Sequence, residues 1–93
     1  MVYELKKTGK FKDSLKLARK RGLDISLLEE IMDKLRTDTP LAPKHRNHEL
    51  VGKFKGVWEC HIQPDWLLLY TKNKNVLVLT LIDTETHSDL FRE

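Results

Sequence analysis

Val76 to Ile82 read Val-Leu-Val-Leu-Thr-Leu-Ile, so an extended chain here is apolar on both faces. A strand of that kind has to be covered on both sides, which predicts a central position in a sheet. It also means that the rest of a 93-residue chain must supply the cover. At this length there is room for one compact domain, residues 1–93, with a thin core.

The cover is visible upstream. Phe11, Leu15 and Ala18 recur at spacings of four and three after Thr8, a suitable N-cap, and the stripe should end near Gly22. Leu28, Ile31, Met32 and Leu35 line up on a second helix, for which Ser26 and Glu29 have capping-box spacing and Asp24 is a competing cap. So few residues separate the stripes that the helices should form an antiparallel hairpin with both apolar faces on one surface. Before them, residues 2–7 alternate as a short strand, with Tyr3 and Leu5 on one side.

Between Thr37 and His48, Pro40 and Pro43 forbid a helix and predict a long loop. Phe54 to Ile62 then alternates, with Phe54, Trp58, Cys60 and Ile62 apolar and Lys55, Glu59, His61 and Gln63 opposite them. Pro64-Asp65 supplies a turn, Trp66 to Lys72 another strand, and Asn73-Lys74-Asn75 a reversal into the central run. The expected fold is α+β: an N-terminal strand, the helical hairpin, then a mainly antiparallel twisted sheet of three or four strands and a short C-terminal segment. The hairpin covers one sheet face, and His61 projects from the other.

Charge and cysteine use narrow the function. Seventeen Lys and Arg stand against 14 Asp and Glu, and six of the basic residues fall between Lys10 and Arg21 with Asp13 the single acid, a pattern that attracts phosphates or an acidic protein. Cys60 is the only cysteine, which excludes an intrachain disulfide and fits a reducing cytoplasm. No apolar run approaches the ~20 residues of a membrane span, so a cytoplasmic location is expected, with no membrane partner.

His48, His61 and His87 flank or sit on the sheet, with Asp65 near His61. Histidine titrates near neutrality, at an ordinary pKa of ~6.5. Cutting RNA through its own 2'-hydroxyl needs one group to take that proton and another to protonate the leaving oxygen, and such a set provides both. Each residue also has a plain reading: His61 as a solvated strand residue, His45 and His48 as loop residues, His87 as a first-turn helix residue after Thr86. A metal site on His45-x-x-His48 with Asp65 falls in a loop and lacks a recognised signature, so neither metal nor cofactor is expected. Trp66 reads either as packed or as an RNA-stacking surface, and Phe91 likewise. Glu59 shares the face of His61 but lies two strand rises away, ~6.6 Å.

His61-Ile62-Gln63-Pro64-Asp65-Trp66-Leu67-Leu68-Leu69-Tyr70, Thr86-His87-Ser88-Asp89-Leu90-Phe91 and Asn47-His48-Glu49-Leu50-Val51-Gly52 together resemble the YafQ-type toxins of the RelE/ParE superfamily. The resemblance extends over nearly the whole chain. It implies a bacterial toxin-antitoxin component: an mRNA interferase that acts in the ribosomal A site, is silenced by an antitoxin of the DinJ/RelB type, and meets operator DNA only through that complex. The family's active-site residues fall on His48, His61, Asp65, Trp66, His87 and Phe91. The expected roles are His87 as general acid, His48 and Asp65 for proton removal, His61 for phosphate contact or proton relay, and Trp66 with Phe91 for positioning RNA.

The chain departs from that pattern at Asp83 and Glu85, where the family often carries arginine and glycine. A cation at position 83 would stabilise charge developing on the phosphoryl oxygens, and carboxylates would oppose it. Arg46, Lys53 or Lys55 are the candidates to substitute. Two other functions are open to this fold: a ParE-like toxin that binds a protein target such as DNA gyrase, and a catalytically impaired toxin kept as antitoxin partner and co-repressor.

Overall fold

The computed structural model describes residues 2–86 and is α+β, with the elements β1 (Glu4–Lys7), α1 (Gly9–Lys20), α2 (Ile25–Arg36), β2 (His48–Glu49), β3 (Trp58–Gln63), β4 (Trp66–Asn73) and β5 (Val78–Thr86). The strands form one mixed sheet in the order β1-β5-β4-β3-β2. The apolar run is interior to the sheet, as its two-sided pattern requires, but it enters the strand only at Val78, since Val76 is exposed and Leu77 turns at φ +52°: β5 pairs with β4 antiparallel and with β1 parallel. His87 and Phe91 lie outside the described residues.

Local chemistry explains the helix limits. The Thr8 side chain accepts from the Phe11 N–H, while its hydroxyl donates to the Ile82 carbonyl at 2.6 Å, so the cap also ties α1 to β5. Gly22, at φ +77°, makes the turn after α1. Asp24, rather than Ser26, caps α2, since its carboxylate accepts from the Ser26 N–H. Phe11, Ala18, Leu28, Ile31 and Leu35 from the helices close over Tyr3, Cys60, Ile62, Trp66, Leu68, Tyr70, Leu79 and Leu81 from the sheet. The two helices therefore share one face of it. Among the described residues no helix is long and apolar enough to cross a membrane.

Four strands follow the hairpin, and with β1 the sheet has five; the fourth is His48–Glu49, which leaves the predicted loop to pair with Glu59 and Trp58. The strand expected from Phe54 begins only at Trp58. Gly52 at φ +72° and Gly56 at φ +95° break the extended backbone, and Gly52–Phe54 is a short 3-10 turn.

Candidate active site

The face of the sheet turned away from the helices carries Glu59 and His61, which alternate with the buried Cys60 and Ile62 of β3. His48 joins them from β2, because its register partner is Glu59, and directly opposed residues of an antiparallel pair project to the same side. His48 Nε2 lies 3.4 Å from Glu59 Oε1 and His61 Nε2 lies 3.8 Å from the same oxygen. One carboxylate thus stands between two imidazoles. The His48 side chain is 48% exposed and that of His61 12%, so one ring is accessible and the other recessed.

The histidine tautomers are set by the backbone. His48 Nδ1–H donates to the Arg46 carbonyl at 2.6 Å, because a carbonyl can only accept. His61 Nδ1 faces the Pro64 carbonyl at 3.3 Å in the same sense. His45 repeats it at 2.6 Å on the carbonyl of His61, so its ring braces β3 from the 3-10 turn Pro43–His45. Both Nε2 atoms of the pair are thereby left directed at Glu59. Asn47, just before His48, accepts a 2.6 Å hydrogen bond from the Tyr70 hydroxyl of β4. Burial raises the pKa of that hydroxyl, with the neighbouring Cys60 adding and the Asn47 bond opposing. Burial, helped by the charge of Glu59, pushes the Cys60 thiol up to about 12, which keeps it a neutral, buried thiol near neutral pH.

The structure brings together His48 and His61 from the sequence-derived set and adds Glu59. Strand spacing alone misled here: backbones two rises apart carry side chains that converge, and the third participant arrives on a strand too short to show a period. Asp65 is exposed in the β3–β4 turn, next to the Pro64 whose carbonyl meets His61. Lys53 and Lys55 are exposed on the β2–β3 loop, and Arg46 is exposed with its carbonyl engaged by His48.

Trp66 requires a correction. Its side chain is 1% exposed within the core shared with the helices, so it offers no surface on which a base can stack. It alternates onto the opposite face from the histidines because it heads β4 in the register of Leu68 and Tyr70, both buried.

Asp83 requires another. A register irregularity in the β4–β5 pairing falls between the Leu69–Asp83 and Tyr70–Leu81 pairs. Asp83, 3% exposed, accepts from the Ser14 hydroxyl at 2.6 Å and from the Thr84 N–H at 2.9 Å, with Lys10 Nζ at 3.4 Å. Its carboxylate is thus engaged by α1, on the helix-covered side of the sheet rather than the face that carries His48, Glu59 and His61. Glu85 stands opposite Leu67 in register.

Comparison with known proteins agrees with this fold. The family model for the bacterial toxin of type II toxin-antitoxin systems, YafQ, matches residues 3–92. The mRNA interferase toxin YafQ of Escherichia coli K12 is 34% identical over 89 residues, 95% of each chain. The toxin in the E. coli DinJ-YafQ toxin-antitoxin complex superimposes with a TM-score of 0.87 at 33% identity, covering 98% of this chain and 99% of that one. A metal-bound toxin from Helicobacter pylori is similar at a TM-score of 0.88 and 40% identity, over 98% of this chain and 100% of its own. In this chain no group of three or more His, Cys, Asp or Glu among the described residues is arranged to hold a metal ion. With the family model matching residues 3–92 and the relatives agreeing in sequence and in overall superposition, the chain belongs to the YafQ family of bacterial type II toxins.

Proposed function

We propose that this chain is an mRNA interferase, an endoribonuclease that cuts translated message in the ribosomal A site and is silenced by a cognate antitoxin. The observation that carries the reading is the Glu59 carboxylate set between His48 and His61 on the sheet face free of helices. With Nδ1–H held by a backbone carbonyl, His48 takes up and gives back its proton at Nε2, the nitrogen beside the Glu59 carboxylate. His48, the more exposed ring, takes the proton of the 2'-hydroxyl, and the 2'-oxygen attacks the adjacent phosphorus. Glu59 then sits beside the imidazolium that forms and stabilises it. His61 contacts the phosphate or relays the proton, Asp65 assists from the adjoining turn, and His87 protonates the departing 5'-oxygen. Arg46, Lys53 and Lys55 are the cations for the phosphoryl oxygens.

Family membership supports the reading, since the E. coli relatives are mRNA interferases. The antitoxin partner is supported by the E. coli complex, in which a chain of this fold is bound by DinJ. Operator DNA would be met only through such a complex.

The test is induction of the toxin followed by mapping of message ends, in wild type and in His48→Ala and Glu59→Gln. Loss of a general base lowers a rate by roughly 10²–10⁴, so His48→Ala should leave message intact at induction levels where wild type cuts it. Glu59→Gln should cut more slowly at unchanged folding. Wild type that arrests growth with intact messages would refute the RNase reading.

A further inference from the structure

With Trp66 in the core, an RNA-cutting reading lacks an aromatic surface among the described residues it had assigned, and another aromatic stands beside the site. Phe54 is 53% exposed at the tip of the β2–β3 loop, and Val51 in the same loop is 86% exposed. Isolated exposed apolar residues are ordinary. This one sits between two exposed lysines, Lys53 and Lys55, and the Lys53 ammonium lies 5.3 Å from the ring centroid. A half-exposed aromatic ring with a cation over one face and a second lysine beside it in sequence combines the groups that hold unpaired bases and their phosphates.

Its position follows from the ladder. His48 opposes Glu59, Glu49 opposes Trp58, and the Leu50 N–H bonds the Val57 carbonyl at 2.8 Å. The loop 51–56 therefore continues directly from the strands that carry the catalytic pair, beginning about three rises, ~10 Å, beyond it. It also has a set shape. Gly52 and Gly56 supply left-handed conformations at its two ends, the Lys55 N–H bonds the Gly52 carbonyl at 3.1 Å, and the Gly56 N–H donates to Glu49 Oε2 at 2.9 Å. That last bond also engages the acid on the upstream side of the loop, Glu49.

We propose that Phe54 is a stacking platform for an unpaired RNA base beside the scissile nucleotide, with Lys53 and Lys55 contacting the phosphates on either side of it. The proposal rests on the RNase reading and deepens it. Phe54 is a positioning residue: it touches substrate away from the reacting atoms, so its removal weakens capture and leaves the chemical step in place.

The test is steady-state cleavage on ribosomes programmed with a defined message, comparing wild type with Phe54→Ala, Phe54→Leu and Phe54→Trp, each checked for an unchanged melting temperature. Ala and Leu should raise KM by about 5- to 100-fold, the loss expected for one base–aromatic stack, with kcat held within about twofold. Trp should match or improve on wild type, because it keeps a π-face. An unchanged KM in Ala and Leu, or a fall in kcat alone, overturns the platform while leaving the RNase reading standing. Normal cleavage combined with weakened antitoxin binding overturns it in favour of a protein contact. Wild type that does not cleave sinks both.

Discussion

Replacing Asp83 should unfold the toxin well before it changes catalysis. The carboxylate is nearly inaccessible and takes two hydrogen bonds, from the Ser14 hydroxyl and the Thr84 N–H. Hydrogen bonds to a charged acceptor contribute ~1.5–3 kcal/mol each. Lys10 adds little, because its side chain is 69% exposed and solvent screens the pair. Asp83→Ala should therefore cost about 3 kcal/mol, part of it the penalty of leaving the buried Thr84 N–H without its acceptor. For a domain of this size, ~1 kcal/mol moves Tm by roughly 4–8 °C, so the expected drop is about 12–24 °C. Against a total stability of ~5–15 kcal/mol this is a large fraction.

Asp83→Arg should be worse still, since it places a cation beside Lys10 in a site built for an anion. Thermal and urea unfolding of both variants, with a double-mutant cycle through Ser14→Ala, measure this directly. The cycle should show a coupling of about 1 kcal/mol or more. If Asp83→Ala unfolds within ~0.5 kcal/mol of wild type, the carboxylate is not bonded as described. If Asp83→Arg is stable and cleaves message faster, the side chain belongs on the catalytic face and the bulge has been misread.

Three further measurements follow from other parts of the fold. The hydrogen bond from Lys72 holds the Asp38 carboxyl below the usual range, with burial opposing. A depressed acid stabilises the fold above its ordinary pKa of ~3.9 and loses that contribution as pH falls through the folded value. Asp38→Asn should thus melt lower than wild type at pH 7, with the gap closing only as pH falls below the ordinary carboxyl pKa of ~3.9 and through the lowered folded value; a gap that persists in strong acid refutes the pairing. The Cys60 thiol, pushed up to about 12 by burial, should resist a disulfide reagent in the native protein and react at the rate of unfolding; fast labelling under native conditions would contradict its burial. Gly56→Ala meets nothing within 4 Å, so its cost is backbone strain alone, roughly 1–2 kcal/mol by urea unfolding. A neutral outcome would mean that the loop does not need the positive φ.

The parts legible in the sequence are those whose chemistry is local. Two-sided apolarity placed Val78–Ile82 in the sheet interior, although Val76 and Leu77 fall in the turn before the strand, Thr8 announced its helix, and Gly22 ended it, each through a pattern or a backbone preference carried by adjacent residues. What alternation does not carry is the partner. Nothing in residues 2–7 says that the strand pairs in parallel with β5, and a two-residue strand such as His48–Glu49 has no period to detect. The pair of glycines around Lys53-Phe54-Lys55 was the available signal for that hairpin. Asp83 was misjudged for a related reason: one irregularity in the β4–β5 register decides which face a side chain meets, and a sequence does not display it.

The candidate site depends on the same kind of hidden information. Three histidines, His45, His48 and His61, each present Nδ1 to a backbone carbonyl, and two of those carbonyls belong to residues outside regular structure, Arg46 and Pro64. Arg46 reaches its position through a left-handed backbone, φ +42°, that a residue bearing a side chain seldom adopts. The protonation pattern that points both Nε2 atoms at Glu59 is thus a property of loop carbonyls rather than of the histidines themselves. A sequence containing the same histidines with differently folded loops would have the ingredients of acid-base chemistry without its geometry. In this chain the Tyr70–Asn47 bond and the His45 brace fasten those loops to the sheet, so the core packing under β3 and β4 reaches the chemistry through backbone oxygens.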